Sequence, residues 1–330
     1  HKNIMGDDAW RESWVRGASQ CLQRGMTTVG NIETRPDLLE DLWAKTPLRL
    51  SSYMELIIVK VESDSDSAIQ KVVNFLQSHK PRRGDIGLSP HAPYSVKPDA
   101  LRRCAKISQE HGLRMTMHIA ESADESAMFR EASGPLYQRL VNVGRDMSDC
   151  GGHSPVEQAS RHGVLSDRLL VVHGNYLDDG DIHLLAESNT SIAHCPRSHD
   201  YFGHTPFRFQ ELKAAGVNVC LGTDSLATVN NSNAELDLIE EMRLFRENYS
   251  DTNSEDIVCM ATVNGAKALN WAGKVGEISV GAFADLMAVP YSGLVDNVYD
   301  AVIEQSGPDS VMINGQWELR QTPSSTDYDG

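Results

Sequence analysis

The sequence predicts an α/β fold whose strands run parallel, and three observations support this prediction. Seven strand-like segments alternate with helical segments along most of the 330-residue chain. Such alternation needs helical crossovers and therefore parallel strands. Several segments, such as LLVV at 169–172 and NVCL at 218–221, are apolar almost throughout, as expected for strands covered on both faces. No glycine-rich phosphate loop follows the first strand-like segment, which weakens the dinucleotide-binding form of a doubly wound sheet.

The elements follow in order from the amino terminus. An opening helix, capped by Asp7 or Asp8, has apolar residues at every fourth position and ends at Gly25. The predicted strands are 26–33, 48–57, 86–96, 114–122, 169–177, 189–198 and 218–227. Helices are predicted at 67–79, 98–112, about 234–248 and about 254–270. Short β segments at 276–293 and 310–320 form a small appendage, and the polar tail 321–330 is expected to be disordered.

Polar residues concentrate where the predicted strands end. They are Glu33, Glu55, His91, His118, His173, His194 and Asp224. Functional residues at the carboxyl ends of many strands are typical of a TIM (β/α)8 barrel rather than of a doubly wound sheet. Seven strands after an opening helix predict a barrel that occupies 1–275 as strands 2–8, with its first strand upstream of residue 1.

Composition and cysteine usage exclude several classes of function. The chain has 46 Asp and Glu against 30 Lys and Arg, a formal charge of −16. This balance argues against nucleic acid and anionic membranes as partners, because both need a basic surface. No apolar run approaches the roughly 18–20 residues that span a bilayer. The six cysteines are scattered without a CxxC pair, so we expect no disulfide framework, no thiolate zinc site and a cytoplasmic location.

Three of the strand-end residues predict a metal site. His118, His173 and Asp224 each follow apolar strand residues and precede a turn. Burying an imidazole or an ionised carboxylate without a partner is costly, and one divalent ion shared at the barrel mouth would supply that partner. Imidazole nitrogen with carboxylate oxygen suits Zn²⁺ or Fe²⁺ rather than Ca²⁺ or Mg²⁺. We expect zinc and keep iron as the alternative.

Five motifs in this order resemble the amidohydrolase superfamily. They are SPHAPYSV at 89–96, HIAES at 118–122, VVHGNYL at 171–177, AHCPRSH at 193–199 and LGTDSLAT at 221–228. The chain is most similar to the branch of deaminases and chlorohydrolases with one metal ion, and within it to S-adenosylhomocysteine/methylthioadenosine and aminodeoxyfutalosine deaminases. The resemblance implies a metal-dependent hydrolase barrel lacking its first strand and, at 276–320, the carboxyl-terminal part of a small β-sandwich.

The resemblance also implies a role for each matched residue. His118 and Asp224 correspond to metal ligands, and Glu121 to the carboxylate that carries a proton to a ring nitrogen of the substrate. His173 corresponds to the histidine that contacts the metal-bound water, whose proton it accepts together with Asp224. His91 corresponds to a substrate-contacting histidine. Glu55, Glu121, His194 and His199 complete the predicted substrate-binding set, and Glu33 and His204 are weaker candidates for the same pocket.

The implied reaction is hydrolytic deamination of an aminated heterocycle or adenine-type nucleoside, with release of ammonia. A chlorohydrolase or a cyclic amide hydrolase of the same superfamily is the alternative enzyme. The family takes two more ligands from an HxH motif on its first strand, and no HxH occurs in this sequence. We therefore expect a chain truncated at its amino terminus, and an inactive barrel is the third hypothesis. A small-molecule substrate is the expected partner, with a homo-oligomer left open.

Two further expectations concern residues outside these motifs. Histidines 79, 111, 153, 162 and 183 fall on predicted helices or loops and are expected at the surface. The long stretch 123–168 after the fourth predicted strand is either a lid over the substrate or a plain helical insertion.

Overall fold

Seven strands in chain order build the main sheet of this computed structural model, which describes residues 6–229, 234–293 and 298–320. The strands are β1 (Thr28–Glu33), β2 (Arg49–Leu56), β3 (Gly84–Pro90), β4 (Arg114–Ile119), β5 (Leu169–His173), β6 (Ser191–His194) and β7 (Val219–Leu221). Each pairs in parallel with the next, in the order β1 to β7. The predicted α/β fold with seven parallel strands is confirmed. His1 and the predicted disordered tail lie outside the described residues.

Helices connect the strands and cover one face of the sheet. They are α1 (Asp7–Gln23), α2 (Pro36–Trp43), α3 (Ser65–Ser78), α4 (Pro98–His111), α5 (Ala123–Glu131), α6 (Gly134–Val143), α7 (Pro155–Arg161), α8 (Asp179–Glu187), α9 (Pro196–Phe202), α10 (Phe209–Ala214), α11 (Leu238–Asn248), α12 (Ser254–Ala261), α13 (Val263–Ala268) and α14 (Val298–Glu304). No helix in the described part of the chain has the length and apolar character needed to cross a membrane.

Side-chain alternation divides each strand between two environments. On β4, Met115, Met117 and Ile119 belong to the large core between sheet and helices, whereas His118 lies on the opposite face. On β5 and β6, Leu170 and Ala193 lie on that same opposite face. Because successive side chains of a strand point to opposite faces, apolar side chains that face the helices alternate with side chains that face the inside of the curved sheet.

The inner face shows that the sheet curls into a half-barrel. Tyr53 of β2, Leu170 of β5 and Cys220 of β7 pack in one cluster with Leu269, and Ile32 of β1 joins it. Strands so far apart in the sheet order can share one cluster only if the sheet bends around it. The segment 268–271 supplies the filling: the indole nitrogen of Trp271 donates to the Ser51 hydroxyl at 3.1 Å, and the Arg114 guanidinium donates to the Ala268 carbonyl at 2.8 Å.

Two helix predictions need correction. The opening helix is not capped by Asp7 or Asp8, because Gly6 is its N-cap and both aspartates lie in its first turn. There they face the positive end of the helix dipole, which explains their occurrence at this terminus. The predicted helix at 254–270 is two helices, α12 and α13, because Thr262 has a non-helical backbone with φ −124° and ψ −94°.

A second sheet of three antiparallel strands follows the barrel-like part. It consists of β8 (Leu286–Ala288), β9 (Ser310–Ile313) and β10 (Gln316–Arg320), in the order β10-β9-β8. A buried ion pair joins it to the main sheet, since Arg49 Nε lies 3.0 Å from Asp285 Oδ2 and the side chains are 4% and 1% exposed. The small sheet is a minor addition to the larger one.

Candidate active site

Side chains from neighbouring strand ends meet at the carboxyl edge of the main sheet. His118 on β4 pairs in register with Val172, one residue before His173 on β5. The centroids of the two imidazole rings are 5.5 Å apart. On the other side of His118, the ring of His91 lies 4.9 Å away. The imidazole rings of His91, His118 and His173, at the carboxyl ends of β3, β4 and β5, are therefore neighbours in that order.

An unusual backbone conformation turns His173 toward this row. Its strand partner Ile119 faces the helix side, so simple alternation would send His173 there as well. Instead His173 has φ 75°, a left-handed conformation that side chains other than glycine rarely adopt. Ala120 and Asp224, in the turns that follow β4 and β7, also have positive φ, at 54° and 50°. Strained turns of this kind cluster at functional sites.

The hydrogen bonds of His118 fix which nitrogen faces the site. Nδ1 lies 3.0 Å from the carbonyl oxygen of His91, and a carbonyl can only accept. Nδ1 therefore carries the proton, and Nε2 holds the lone pair. A histidine anchored in this way through Nδ1 is the form that ligates a metal ion through Nε2.

Glu121 extends from the β4 turn toward His173. Its Oε1 lies 3.7 Å from His173 Nε2. Burial raises the pKa of the Glu121 carboxyl, and the charge of Asp224 adds to this rise while His118 opposes it. Burial also lowers the pKa of His173 to about 3, with further lowering from His118. A carboxyl that holds its proton more readily than usual thus faces an imidazole that is neutral at pH 7.

Asp224 approaches from the turn after β7. The hydroxyl of Ser198 donates to its Oδ2 at 2.6 Å, and the Thr228 hydroxyl donates to the same oxygen at 3.1 Å. The charge of Asp224 raises the pKa of both Glu121 and His173, so the carboxylate lies within electrostatic range of them. The structure therefore brings His118, Glu121 and His173 together, with Asp224 within electrostatic range of Glu121 and His173.

The donor chemistry of this group fits a divalent ion, but the number of donors is small. An imidazole nitrogen of His118 and a carboxylate of Asp224 are ligand types that zinc takes. Across residues 6–229, 234–293 and 298–320, however, no set of three or more His, Cys, Asp or Glu side chains surrounds one point closely enough to hold a metal ion. The described residues thus offer the two predicted ligands and no complete set.

Two predicted substrate-binding residues lie beside the group. The main-chain N–H of His91 donates to the Leu56 carbonyl at 3.0 Å, which fixes the end of β3 against that of β2. The His91 ring contacts Ser95 through Nδ1 at 2.7 Å and Tyr94 edge-to-face. Glu55 is on the inner face of β2, two residues after the inner Tyr53. Burial raises the pKa of the nearby Tyr94, and the charges of Glu125, Glu121 and, least, Glu55 add to this rise.

His194 and His199 have different surroundings. His194 faces the helix side of β6, fully buried, with its ring stacked on Phe207 at a centroid distance of 4.0 Å. Its Nδ1 has no hydrogen-bond partner. His199 on α9 is also buried, and its Nδ1 lies 3.0 Å from the Asn175 side-chain oxygen. The two rings therefore have other neighbours than the His118 ring: His194 packs on Phe207, and His199 contacts Asn175.

Three other expectations about polar residues have different outcomes. Glu33 does not face the barrel mouth: it lies on the helix side of β1, where the Trp14 indole donates to it at 2.8 Å. His153 is not at the surface, because it is buried and bonded to Gln158 at 2.8 Å. His204 lies near the site, with its Nδ1 3.2 Å from the Tyr176 hydroxyl. The stretch 123–168 forms helices α5, α6 and α7.

Sequence reasoning missed the residues that hold Glu121. Glu125 Oε2 accepts from the Glu121 main-chain N–H at 2.9 Å, and Asn175 Nδ2 donates to the Glu121 carbonyl at 3.0 Å. Burial raises the pKa of Glu125 to about 8. The sequence contained a signal for each, since Glu125 lies one helical turn beyond Glu121 and Asn175 follows His173 by two residues.

Comparison with known proteins gives a consistent result. Residues 2–317 match the amidohydrolase family. A 5-methylthioadenosine/S-adenosylhomocysteine deaminase of Pyrococcus horikoshii is 37% identical over 227 residues, which cover 67% of this chain and 48% of that protein. A 5'-deoxyadenosine deaminase of Methanoregula boonei is 32% identical over 233 residues, covering 67% and 47%.

Solved structures resemble the fold. An adenosine deaminase from Xanthomonas campestris with bound zinc superposes with a TM-score of 0.81 at 24% sequence identity, over 96% of this chain and 71% of that one. The matched relatives are longer: the chain spans about half to three fifths of the length of three curated relatives that it matches.

Proposed function

The chain belongs to the amidohydrolase family, and from that premise we propose that it is a hydrolase that removes the amino group of an adenine-bearing nucleoside and releases ammonia. The observation that carries this proposal is the approach of Glu121 to within 3.7 Å of His173, beside His118 and Asp224. A carboxyl with a raised pKa next to a neutral imidazole is an arrangement suited to hydrolytic proton transfer. The nucleoside class comes from the names of the two sequence relatives.

We propose that a divalent ion, with zinc as the first choice, belongs to this site. His118 Nε2 and Asp224 would hold it, together with ligands from outside the described residues. When bound, such an ion supplies Lewis acidity that makes water a nucleophile near neutral pH. The lone pair of His118, fixed by the His91 carbonyl, and the carboxylate of Asp224, fixed by two hydroxyls, support this assignment.

The residues of the chain divide the proton chemistry. Burial raises the pKa of Glu121 and so favours its protonated form, and in the proposed reaction Glu121 delivers a proton to the purine ring nitrogen next to the carbon under attack. His173 is neutral, so it accepts the proton of the attacking water together with Asp224. The carbon–oxygen bond forms first, and the ionised Glu121 then takes the proton of the added hydroxyl group and passes it to the amino group. The carbon–nitrogen bond breaks with its electron pair on nitrogen, ammonia leaves, and the oxygen remains as a carbonyl. The proton held by His173 and Asp224 returns to Glu121, so the protons balance and no oxidant or reductant is needed.

The predicted substrate contacts divide into two groups in this proposal. His91 and Glu55 lie at the carboxyl ends of β3 and β2 and contact the substrate along with Glu121. His194 and His199 act from outside the pocket, because their rings pack against Phe207 and Asn175. The two rings differ in hydrogen bonding, because the buried Nδ1 of His194 has no hydrogen-bond partner whereas the Nδ1 of His199 contacts Asn175.

The finer description of the architecture is part of the same proposal. We propose that the half-barrel corresponds to strands 2–8 of an eight-stranded TIM-type barrel over 1–275, and that 276–320 is the carboxyl-terminal part of a small β-sandwich. The parallel order of β1 to β7 and the three antiparallel strands β8 to β10 support it. All six cysteines are free thiols, which supports a reducing, cytoplasmic location. A small-molecule substrate is the proposed partner. Sedimentation measurements would determine whether the protein forms a homo-oligomer.

The proposal is tested with the product of the complete reading frame, purified and loaded with zinc or with iron. Ammonia release is measured from adenosine, 5'-deoxyadenosine, 5'-methylthioadenosine and S-adenosylhomocysteine, with chloride release from a chlorinated triazine measured in parallel. We expect ammonia from at least one nucleoside, loss of turnover after chelation and its return on adding metal. Chloride release without ammonia would instead show a chlorohydrolase, and no release from any compound would favour the inactive barrel.

A further inference from the structure

The turn that carries Glu121 is bonded tightly to the turn that carries His173. The main-chain N–H of Gly174 donates to the Ile119 carbonyl at 3.1 Å. The N–H groups of Asn175 and Tyr176 both donate to the Ala120 carbonyl, at 2.8 and 3.0 Å. Three backbone bonds therefore fix the relative position of the two turns, yet none of them acts on Glu121 itself.

Side chains supply the remaining restraint on both sides of Glu121. Its N–H donates to Glu125, and its carbonyl accepts from the Nδ2 of Asn175 at 3.0 Å. Asn175 is 3% exposed, so water does not compete for this bond. The side-chain amide of Asn175, in the turn after β5, is thus bonded to the main chain of Glu121, the residue that transfers the proton in the proposed reaction.

The Asn175 amide lies between the Glu121 carbonyl and His199, and these two partners fix which way it points. The Glu121 carbonyl can only accept, so the amide nitrogen must face it and the amide oxygen must face His199 Nδ1, 3.0 Å away. His199 Nδ1 then donates, and the bonds run in one direction from His199 through Asn175 to Glu121. His199 is itself 8% exposed, in helix α9 of the next crossover.

We propose that Asn175, oriented by His199, is a positioning residue for Glu121. It holds the Glu121 main chain so that the carboxyl group stays near His173 and within reach of the substrate ring nitrogen. The inference rests on the proposed deaminase function, which assigns proton transfer to Glu121. It gives a use to His199 that needs no contact with the substrate, and it explains why a buried amide follows the His173 turn.

The decisive variant is Asn175→Asp, which keeps an acceptor for His199 and removes the donor to Glu121. We expect kcat to fall about 10- to 100-fold with KM unchanged, because a misplacement of about 1 Å is enough for such a loss. Proton transfer then limits the rate, so the solvent deuterium isotope effect on kcat should rise. A merely structural role would leave that isotope effect at its wild-type value.

Asn218→Asp is the matched control. Asn218 also donates from its side-chain amide to a main-chain carbonyl, that of Asn264 at 3.1 Å, but it is half-buried and lies at the opposite end of the sheet. We expect it to lower stability without changing kcat or the isotope effect. Equal losses in both variants, or a wild-type kcat in Asn175→Asp, would overturn the proposal.

Two measurements keep the test informative in every case. If Asn175→Asp does not fold, His199→Phe removes the orienting donor while filling the ring space, and it should lower kcat in the same direction by a smaller factor. Crystal structures then report the distance between Glu121 Oε1 and His173 Nε2, which is 3.7 Å here and should lengthen in a positioning variant. An unchanged distance contradicts positioning. A wild type that releases no ammonia contradicts the proposed function, while the distance still tests the role of Asn175.

Discussion

Glu121 is the residue on which most of the proposed chemistry depends, and its substitution is the most direct residue-scale experiment. Glu121→Gln keeps the shape and removes the transferable proton, so we expect turnover to fall by about 10²- to 10⁴-fold. Metal content by atomic emission should not change, because Glu121 is not among the proposed ligands. Glu131→Gln, ten residues further along and exposed, is the control that should keep full activity. Near-wild-type turnover in Glu121→Gln would remove Glu121 from the mechanism.

Glu33 offers a second residue-scale prediction that needs no substrate. Burial raises the pKa of its carboxyl from 4.5 to about 7, although Trp14 and Asn31 donate hydrogen bonds to it. The folded state therefore binds more protons than the unfolded state between these values, and the free energy of unfolding falls as the pH rises through this range. Glu33→Gln removes the titration, so at pH 8 it should be about 3 kcal/mol more stable than the wild type.

Urea unfolding at pH 5 and pH 8 measures this effect. The difference between Glu33→Gln and wild type should be small at pH 5 and large at pH 8. Glu12→Gln, on the exposed side of α1, should show no difference at either pH. A gap of equal size at both pH values would mean that packing, rather than ionisation, separates the two proteins.

Residue identities in the candidate site were readable from sequence, but side-chain directions were not. His118, Glu121, His173 and Asp224 stand at strand ends, and parallel strands bring such ends together. The same reasoning selected Glu33 and His194, which face the helices instead. The side-chain direction at a strand end depends on which residue of the strand faces inward first. In a strand of four residues such as β6, the alternation of apolar and polar residues is too short to reveal this.

At the scale of elements, the pairing of β2 with β3 depends on one glycine. Gly84 has φ +124°, and a Cβ there would lie 1.9 Å from the Leu50 carbonyl oxygen. Gly84→Ala should therefore cost roughly 3 kcal/mol or more, since backbone strain adds to steric overlap. Thermal and urea unfolding give the value.

Gly112, the C-cap of α4, is the matched position. It also has a left-handed backbone, with φ +65°, but no atom lies within 4 Å of the place where a Cβ would be. Gly112→Ala should cost only the conformational penalty of about 1–2 kcal/mol. Similar losses at the two sites would show that close approach of the strands is not what Gly84 provides.

Element existence was predictable, and element ends were less so. The longer helices were found because their apolar periodicity persists over many residues, and the seven strands because short apolar, β-branched runs recur between helical segments. The break at Thr262 was missed because the pattern on both sides of it remains helical, and only tertiary packing forces the chain to change direction there. The left-handed conformations of Ala120, His173 and Asp224 lie on residues other than glycine, so the sequence did not identify which residue of each turn would adopt them.

At the scale of the whole molecule, the ion pair of Arg49 and Asp285 connects the two sheets. The guanidinium also lies 4.0 Å from the Phe283 ring, and Asp285 accepts from the Asn314 N–H at 2.7 Å. Asp285→Ala leaves a buried charge without its partner, which should cost about 3–5 kcal/mol in chemical unfolding. Asp41→Ala, which breaks the exposed pair with Arg11, should cost less than about 1 kcal/mol.

A double substitution separates pairing from packing. Arg49→Met with Asp285→Leu removes both charges, and it should recover most of the stability lost in Asp285→Ala. If the double variant is as unstable as the single one, the contact with Phe283 rather than the charge pair holds the small sheet in place.

The filling of the half-barrel by residues 268–271 has a consequence for turnover. Leu269 and Trp271 pack against the inner face of the half-barrel at the end away from the candidate site, so the described residues block an approach from that side. For the proposed deaminase, substrate and both products would then use the side of the loops that follow the strands. A loop that narrows that side would slow substrate entry and product release alike.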